Sequence, residues 1–199
     1  MIGQINRDTT LGELIFNLTK RQDVKNIVEI GTWNGMGSTK CILDGMTTEK
    51  YFWSIELYPD MFEMAQTNLK EFITPNVTLL NGSIINYDEV FWFNHSEIDL
   101  SGDRHAVLWY EKDLKLLKES VNVLDKLPTK IDLLILDGGE YTTYPEFIKL
   151  VDRTKIIVID DTNILKCKRI RTELINDNNF TIIVDNQKER NGYSIFERK

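Results

Sequence analysis

Long apolar runs are missing from this sequence, and so is a cysteine framework. No stretch approaches the roughly 20 consecutive apolar residues that a membrane-spanning helix needs. The opening segment, MIGQINRDTT, lacks the apolar centre of a secretory signal. These two absences set the expectation of a cytoplasmic protein. Two cysteines, Cys41 and Cys167, make neither a disulfide scaffold nor a zinc site, and they read as small core residues. Positive charge is scarce: 24 Lys and Arg stand against 31 Asp and Glu, for a net charge of -7. That balance disfavours a broad nucleic-acid surface, which rests on clustered cations. Internal repeats, low-complexity tracts and Pro/Gly-rich linkers are absent as well. The 199 residues therefore read as one domain, 1–199, long enough to bury a substantial core.

What is present alternates between two periods. The segment DTTLGELIFNLTKRQD, residues 8–23, reads as a helix with Leu11, Leu14, Ile15 and Leu18 on one face and Thr10 with Glu13 as a capping box. Short apolar β-branched runs at 26–30, 51–56, 76–82, 130–137 and 155–160 read as buried strands. Helical patterns separate them at 36–44, from Pro59 onward, at 110–126 and after Thr143. A last helix spans LKCKRIRTELIND, with Cys167, Ile170 and Leu174 inward and its basic run read as a solvated face. FTIIVD and YSIFER, joined across Asn191-Gly192, close the chain as an antiparallel hairpin. The pattern predicts an α/β, Rossmann-like, seven-stranded and mostly parallel sheet, with helices on both faces and one antiparallel strand near the C-terminus. Residues 84–110, which hold FWF and both histidines, break the alternation and are expected to form a substrate lid.

Ligands of such sheets bind beyond the carboxyl ends of the strands. Five segments lie there: Glu29–Gly37, Glu56, Asn81–Ser83, Asp137–Glu140 and Asp160–Asn163. The first reads Glu29-x-Gly31-x-x-x-Gly35-x-Gly37, which does not fit the G-x-G-x-x-G spacing of dinucleotide enzymes. EIGTWNGMGS instead resembles the first motif of the class I S-adenosylmethionine-dependent methyltransferases, E/D-x-G-x-x-x-G-x-S/G. The resemblance extends over about residues 25–198 and implies a cofactor, S-adenosyl-L-methionine. It also implies a binding set of Glu29, Gly31, Thr32, Trp33, Gly35, Gly37, Ser38, Glu56, Leu57, Gly82, Ser83 and Asp137. Glu56 would accept from the ribose hydroxyls, as an acid ending the second strand can. Ser83, with Asn81 second, would meet the adenine edge, and Trp33 would pack on the methionine arm.

Asp137 ends the fourth strand, and Asp160 and Asp161 end the fifth. Three converging carboxylates repel one another unless protonated or neutralised, and a hard divalent cation such as Mg²⁺ is one solution. The Asp…Asp-Asp pattern resembles the metal site of macrocin O-methyltransferase-like enzymes, nearer than the Asp…Asp-Asn of the catechol O-methyltransferase branch. The alternative is that Asp160 and Asp161 cap the next helix. The resemblance implies O-methylation of a sugar or another small hydroxylated molecule, with Asp137 and Glu140 as catalytic residues. One departure stands out: the acid that relatives carry two residues after Asp137 is Gly139 here. Glu140 takes the place often held by His and would serve as base or extra ligand, Tyr141 or Tyr144 would line the pocket, and His95 or His105 is the other source of a base. Rival readings remain: a metal-independent methyltransferase on another acceptor, a non-catalytic S-adenosylmethionine-binding protein, and, least well matched, an NAD-dependent oxidoreductase.

Overall fold

The computed structural model describes residues 3–92 and 104–199. Seven strands form a single sheet in the order β3-β2-β1-β4-β5-β7-β6. They are β1 (Asn26–Ile30), β2 (Tyr51–Glu56), β3 (Val77–Asn81), β4 (Ile131–Leu136), β5 (Thr154–Asp160), β6 (Phe180–Asn186) and β7 (Tyr193–Arg198). The first five pair in parallel, and β7 runs antiparallel to both β5 and β6. The sheet reverses its winding between β1 and β4, so the crevice that can take a ligand opens above those two strands.

Among the described residues six α-helices cover the sheet: α1 (Thr10–Lys20), α2 (Ser38–Gly45), α3 (Pro59–Leu69), α4 (Arg104–Glu119), α5 (Thr143–Leu150) and α6 (Leu165–Asn176). Alternate strand residues feed two cores, as a period of two requires. Ile27, Leu133, Ile135, Ile156 and Val158 pack with Leu11 and Ile15 of α1, Cys41 and Ile42 of α2, and Leu69 of α3. Val28, Ile30, Leu134, Leu136, Ile157 and Ile159 pack with Leu117 of α4, Phe147 and Leu150 of α5, and Cys167, Ile170 and Leu174 of α6. Burial on both faces explains why β4 reads IDLLIL without an exposed position. No helix among the described residues is long and apolar enough to cross a membrane.

Two local expectations differ from the structure. The N-cap of α1 is Thr9, whose hydroxyl accepts from Gly12 N at 3.1 Å; Thr10 is already helical. The helix expected over 110–126 starts at Arg104 and stops at Glu119. There Ser83 N donates to Val121 O and Val123 N donates to Ser83 O, at 3.1 and 2.9 Å. This bridge takes the backbone groups that would continue the helix and leaves Val121 63% exposed. Of the expected lid, a 3-10 turn covers Tyr87–Trp92. Phe93 and His95 lie outside the described residues, as do the side chains of Phe91, Trp92 and His105.

Candidate active site

The glycine loop leaves β1 at Gly31, whose N–H donates to Ile55 O at 2.9 Å. Gly31 has φ +101°, and a Cβ there would lie 2.2 Å from Asp137 O. Only glycine lets the end of β1 pass so close to the end of β4. Gly35, at φ +79°, backs onto Leu69 in the same way. Trp33 is 39% exposed and takes a left-handed φ of 49° without being glycine.

Two carboxylates hold this loop. Glu29 is fully buried and accepts from the hydroxyls of Ser38, Thr39 and Ser54, at 2.6, 2.7 and 2.7 Å. Burial pushes its carboxyl up to about 7, against the pull of those hydroxyls. Its partners make Glu29 a brace between β1, β2 and the first turn of α2, and Thr32 joins it through Ser54 at 2.5 Å. Glu56 accepts from Trp33 N at 2.6 Å and Tyr58 N at 2.8 Å, one on each oxygen. A carboxylate oxygen accepts more than one bond, so Glu56 keeps acceptor capacity at the rim of the crevice. Gly37 caps α2, Leu57 is partly buried beside the core, and Gly82 carries φ +152° against Val121 O. Asn81 donates to Glu56 O at 2.8 Å, while the buried Ser83 hydroxyl accepts from Ile85 N.

The ends of β4 and β5 bring Asp137, Asp160 and Asp161 together, with one oxygen of each within 4.8 Å of the others. Nitrogen donors meet all three. Lys166 Nζ lies 2.5 Å from Asp137 Oδ1 and 3.0 Å from Asp161 Oδ2. Arg190, from the β6–β7 hairpin, pairs with Asp160 Oδ2 at 2.7 Å, and Asn191 donates to Asp161 Oδ1 at 3.0 Å. Burial opposes the charge of Lys166, yet the Asp137 and Asp161 carboxylates outweigh it and hold the ammonium above its ordinary pKa. Asp160 Oδ1 is buried without a partner, and burial, then its two acidic neighbours, push that carboxyl up to about 6. A divalent ion at these carboxylates would compete with Lys166 for them. It would share two ligands with a buried ammonium at contact distance, where like charges repel by several kcal/mol, roughly, even at a moderate effective dielectric.

Around the crevice stand acids that the sequence reading passed over. Asp113 of α4 is buried, its carboxyl raised to about 6 chiefly by burial, and Tyr58 donates to it. Its Oδ2 lies 3.1 Å from where a Cβ on Gly139 would sit. Glu140 is half-buried, and burial raises its carboxyl, with Lys166 opposing and Asp161 adding. Tyr141 is buried, and Tyr144 donates to Glu173 at 2.7 Å. Glu146 of α5 is buried with Oε2 unpartnered, and burial, then the charges of Asp113 and Glu56, push it up to about 8. The missed groups had a signal. Lys166 precedes Ile170 and Leu174 by four and eight, Asp113 precedes Leu117 by four and Glu146 precedes Leu150 by four. Each is a charge placed on an inward helical stripe.

Glu146 makes stability depend on pH in a definite direction. Its folded pKa lies above the unfolded value of 4.5, so the native state binds the extra proton between the two. Stability is therefore full below about 4.5 and falls as the pH rises to about 8. At ~1.4 kcal/mol per pH unit, the loss over that window is on the order of 5 kcal/mol. Glu146→Gln is expected to flatten the fall in urea midpoint between pH 5.5 and 8.5, leaving the smaller slope from Glu29 and the other raised carboxyls, Asp113 and Asp160. Equal slopes in both proteins would remove Glu146 as the cause.

No family model and no curated protein sequence matches the chain. Solved structures do. An O-methyltransferase from Bacillus cereus in complex with SAH superposes with a TM-score of 0.65 at 13% identity, covering 100% of this chain and 84% of the other. A putative caffeoyl-CoA O-methyltransferase from Staphylococcus aureus gives 0.63 at 16%, covering 96% and 84%. TomG, an O-methyltransferase from Streptomyces achromogenes in complex with SAM, gives 0.61 at 15%, covering 94% and 79%. The chain has the class I S-adenosylmethionine-dependent methyltransferase fold.

Proposed function

We propose that this single domain is an S-adenosylmethionine-dependent methyltransferase acting on a hydroxyl of a sugar or another small molecule. One observation carries the reading: the bare glycine loop, braced by Glu29 and tied to Glu56, faces the crevice where this fold binds its ligand. The cofactor would lie along Gly31–Gly37, its ribose on Glu56 and its adenine by Gly82 and Ser83. Segment 84–110 is proposed as the cover on the acceptor side.

The chemistry asked of the protein is modest, because the sulfonium methyl is already activated. The acceptor oxygen attacks the methyl carbon in line, the carbon–sulfur bond breaks, and its electron pair stays on S-adenosylhomocysteine. The acceptor proton goes to Glu140, whose raised carboxyl suits it to take one. Asp137 holds Lys166 at the same place, so the charge developing on the oxygen would meet an ammonium rather than a metal.

Glu56→Gln tests the cofactor half. The amide turns one NH2 toward the Trp33 or Tyr58 N–H, and a charge-assisted bond to the ribose goes with it. Such bonds contribute about 1.5–3 kcal/mol, so S-adenosylhomocysteine affinity is expected to fall about 10- to 100-fold by calorimetry. Unchanged affinity would place the ribose elsewhere. A panel of polyhydroxylated acceptors with methyl-labelled cofactor tests the other half. The non-catalytic reading has Gly139 in its favour, and cofactor binding without labelled product from any acceptor would support it.

A further inference from the structure

We propose that Lys166 is the resident cation of the Asp137–Asp160–Asp161 cluster, standing where a divalent ion would otherwise be bound. The proposal rests on the reading of the crevice as a methyltransferase site, but its test does not.

Three observations point the same way. Lys166 sits in the first turn of α6, where the helix dipole disfavours a cation. Its side chain is only 8% exposed, although a lysine at that position on a surface helix would normally extend into water. Its ammonium is bonded to one oxygen of Asp137 and one of Asp161, which follow different strands. A buried ammonium is costly unless paired, and this one is held by two carboxylates. The hairpin completes the balance, with Arg190 on Asp160 and Asn191 on Asp161. Two side-chain cations thus answer three carboxylates without an added ion. An ammonium has three donors. Two are spent on Asp137 and Asp161, and the third is left for the acceptor oxygen, where it would favour loss of the acceptor proton to Glu140.

The left-handed φ of 59° at Asp161 belongs to the same design. It sets two consecutive acids on separate partners, Asp160 toward Arg190 and Asp161 toward Lys166 and Asn191.

The test is Mn²⁺ binding followed by electron paramagnetic resonance, on the whole protein and on Lys166→Met. The wild type is expected to leave the free-ion signal undiminished at equimolar Mn²⁺. Lys166→Met, with Asp137 and Asp161 no longer answered by an ammonium, is expected to take up one Mn²⁺ at least tenfold more tightly. Adding Asp160→Asn to that variant should abolish the uptake. Should Lys166→Met be poorly folded alone, the gain is read as a rise in its Tm on adding Mn²⁺, with the wild-type Tm unmoved. Stoichiometric Mn²⁺ uptake by the wild type would overturn the proposal, and so would a folded Lys166→Met that takes up none. S-adenosylhomocysteine titrated into the same wild-type sample reports on the methyltransferase reading separately, so either can fail alone.

Discussion

Gly31→Ala is expected to cost the protein its cofactor affinity and much of its stability. The added Cβ would sit 2.2 Å from the carbonyl oxygen of Asp137 and 2.6 Å from its carbon, and both are backbone. Relief requires β1 and β4 to part at the point where Asp137 N donates to Ile30 O at 2.9 Å. The φ of +101° adds strain for any residue with a side chain. Overpacking costs about 1–3 kcal/mol and a forbidden backbone about 1–3 kcal/mol more. The displacement falls on the loop that would cradle the methionine arm and on Asp137 together. We expect Tm to fall by about 10 °C or more for a chain of this size, with no measurable S-adenosylhomocysteine binding by the protein that remains folded. A variant with wild-type Tm and affinity would mean that this close approach carries no function.

Glu140→Gln is expected to spare binding and remove turnover. The side chain is half-buried and isosteric with its replacement, so the fold and the cofactor site should be unchanged. A positioned base contributes about 10²- to 10⁴-fold, and kcat should fall within that range while KM for S-adenosylmethionine holds. The pH profile distinguishes this role from a structural one. Burial raises the Glu140 carboxyl, so wild-type kcat should climb with pH through a limb above the ordinary carboxylate range, as the base loses its proton. Glu140→Gln should lack that limb. If the limb persists in the variant with wild-type kcat, the proton goes elsewhere; Asp113, raised to about 6 and beside Gly139, is then the acid to substitute next.

The architecture was legible because its signals are local and repeated. Strands such as NIVEI and IDLLIL are mostly apolar because both faces are covered, and glycine with an acid marks where β1 ends. The site was legible only where chain order predicts space. Asp137, Asp160 and Asp161 follow adjacent strands, so their meeting could be foreseen. Lys166 could not be assigned from its basic run, LKCKRIR, because the same letters describe a solvated face. What decides it is the four-residue spacing to Ile170, which turns the ammonium inward. Arg190 reaches Asp160 only because β7 pairs with β5, placing the hairpin tip over the cluster. That is a tertiary fact without a local signal. The early end of α4 has the same origin, since Ser83 competes for its backbone from a distant strand end.

The central claim is that the glycine loop and Glu56 hold S-adenosylmethionine. Calorimetric titration of the wild-type protein with S-adenosylmethionine and S-adenosylhomocysteine, with NAD as control, tests it most directly. The account predicts saturable one-to-one binding of both sulfur nucleotides, unchanged by a chelator, and none of NAD. Binding of NAD instead, or of none of the three, would contradict it.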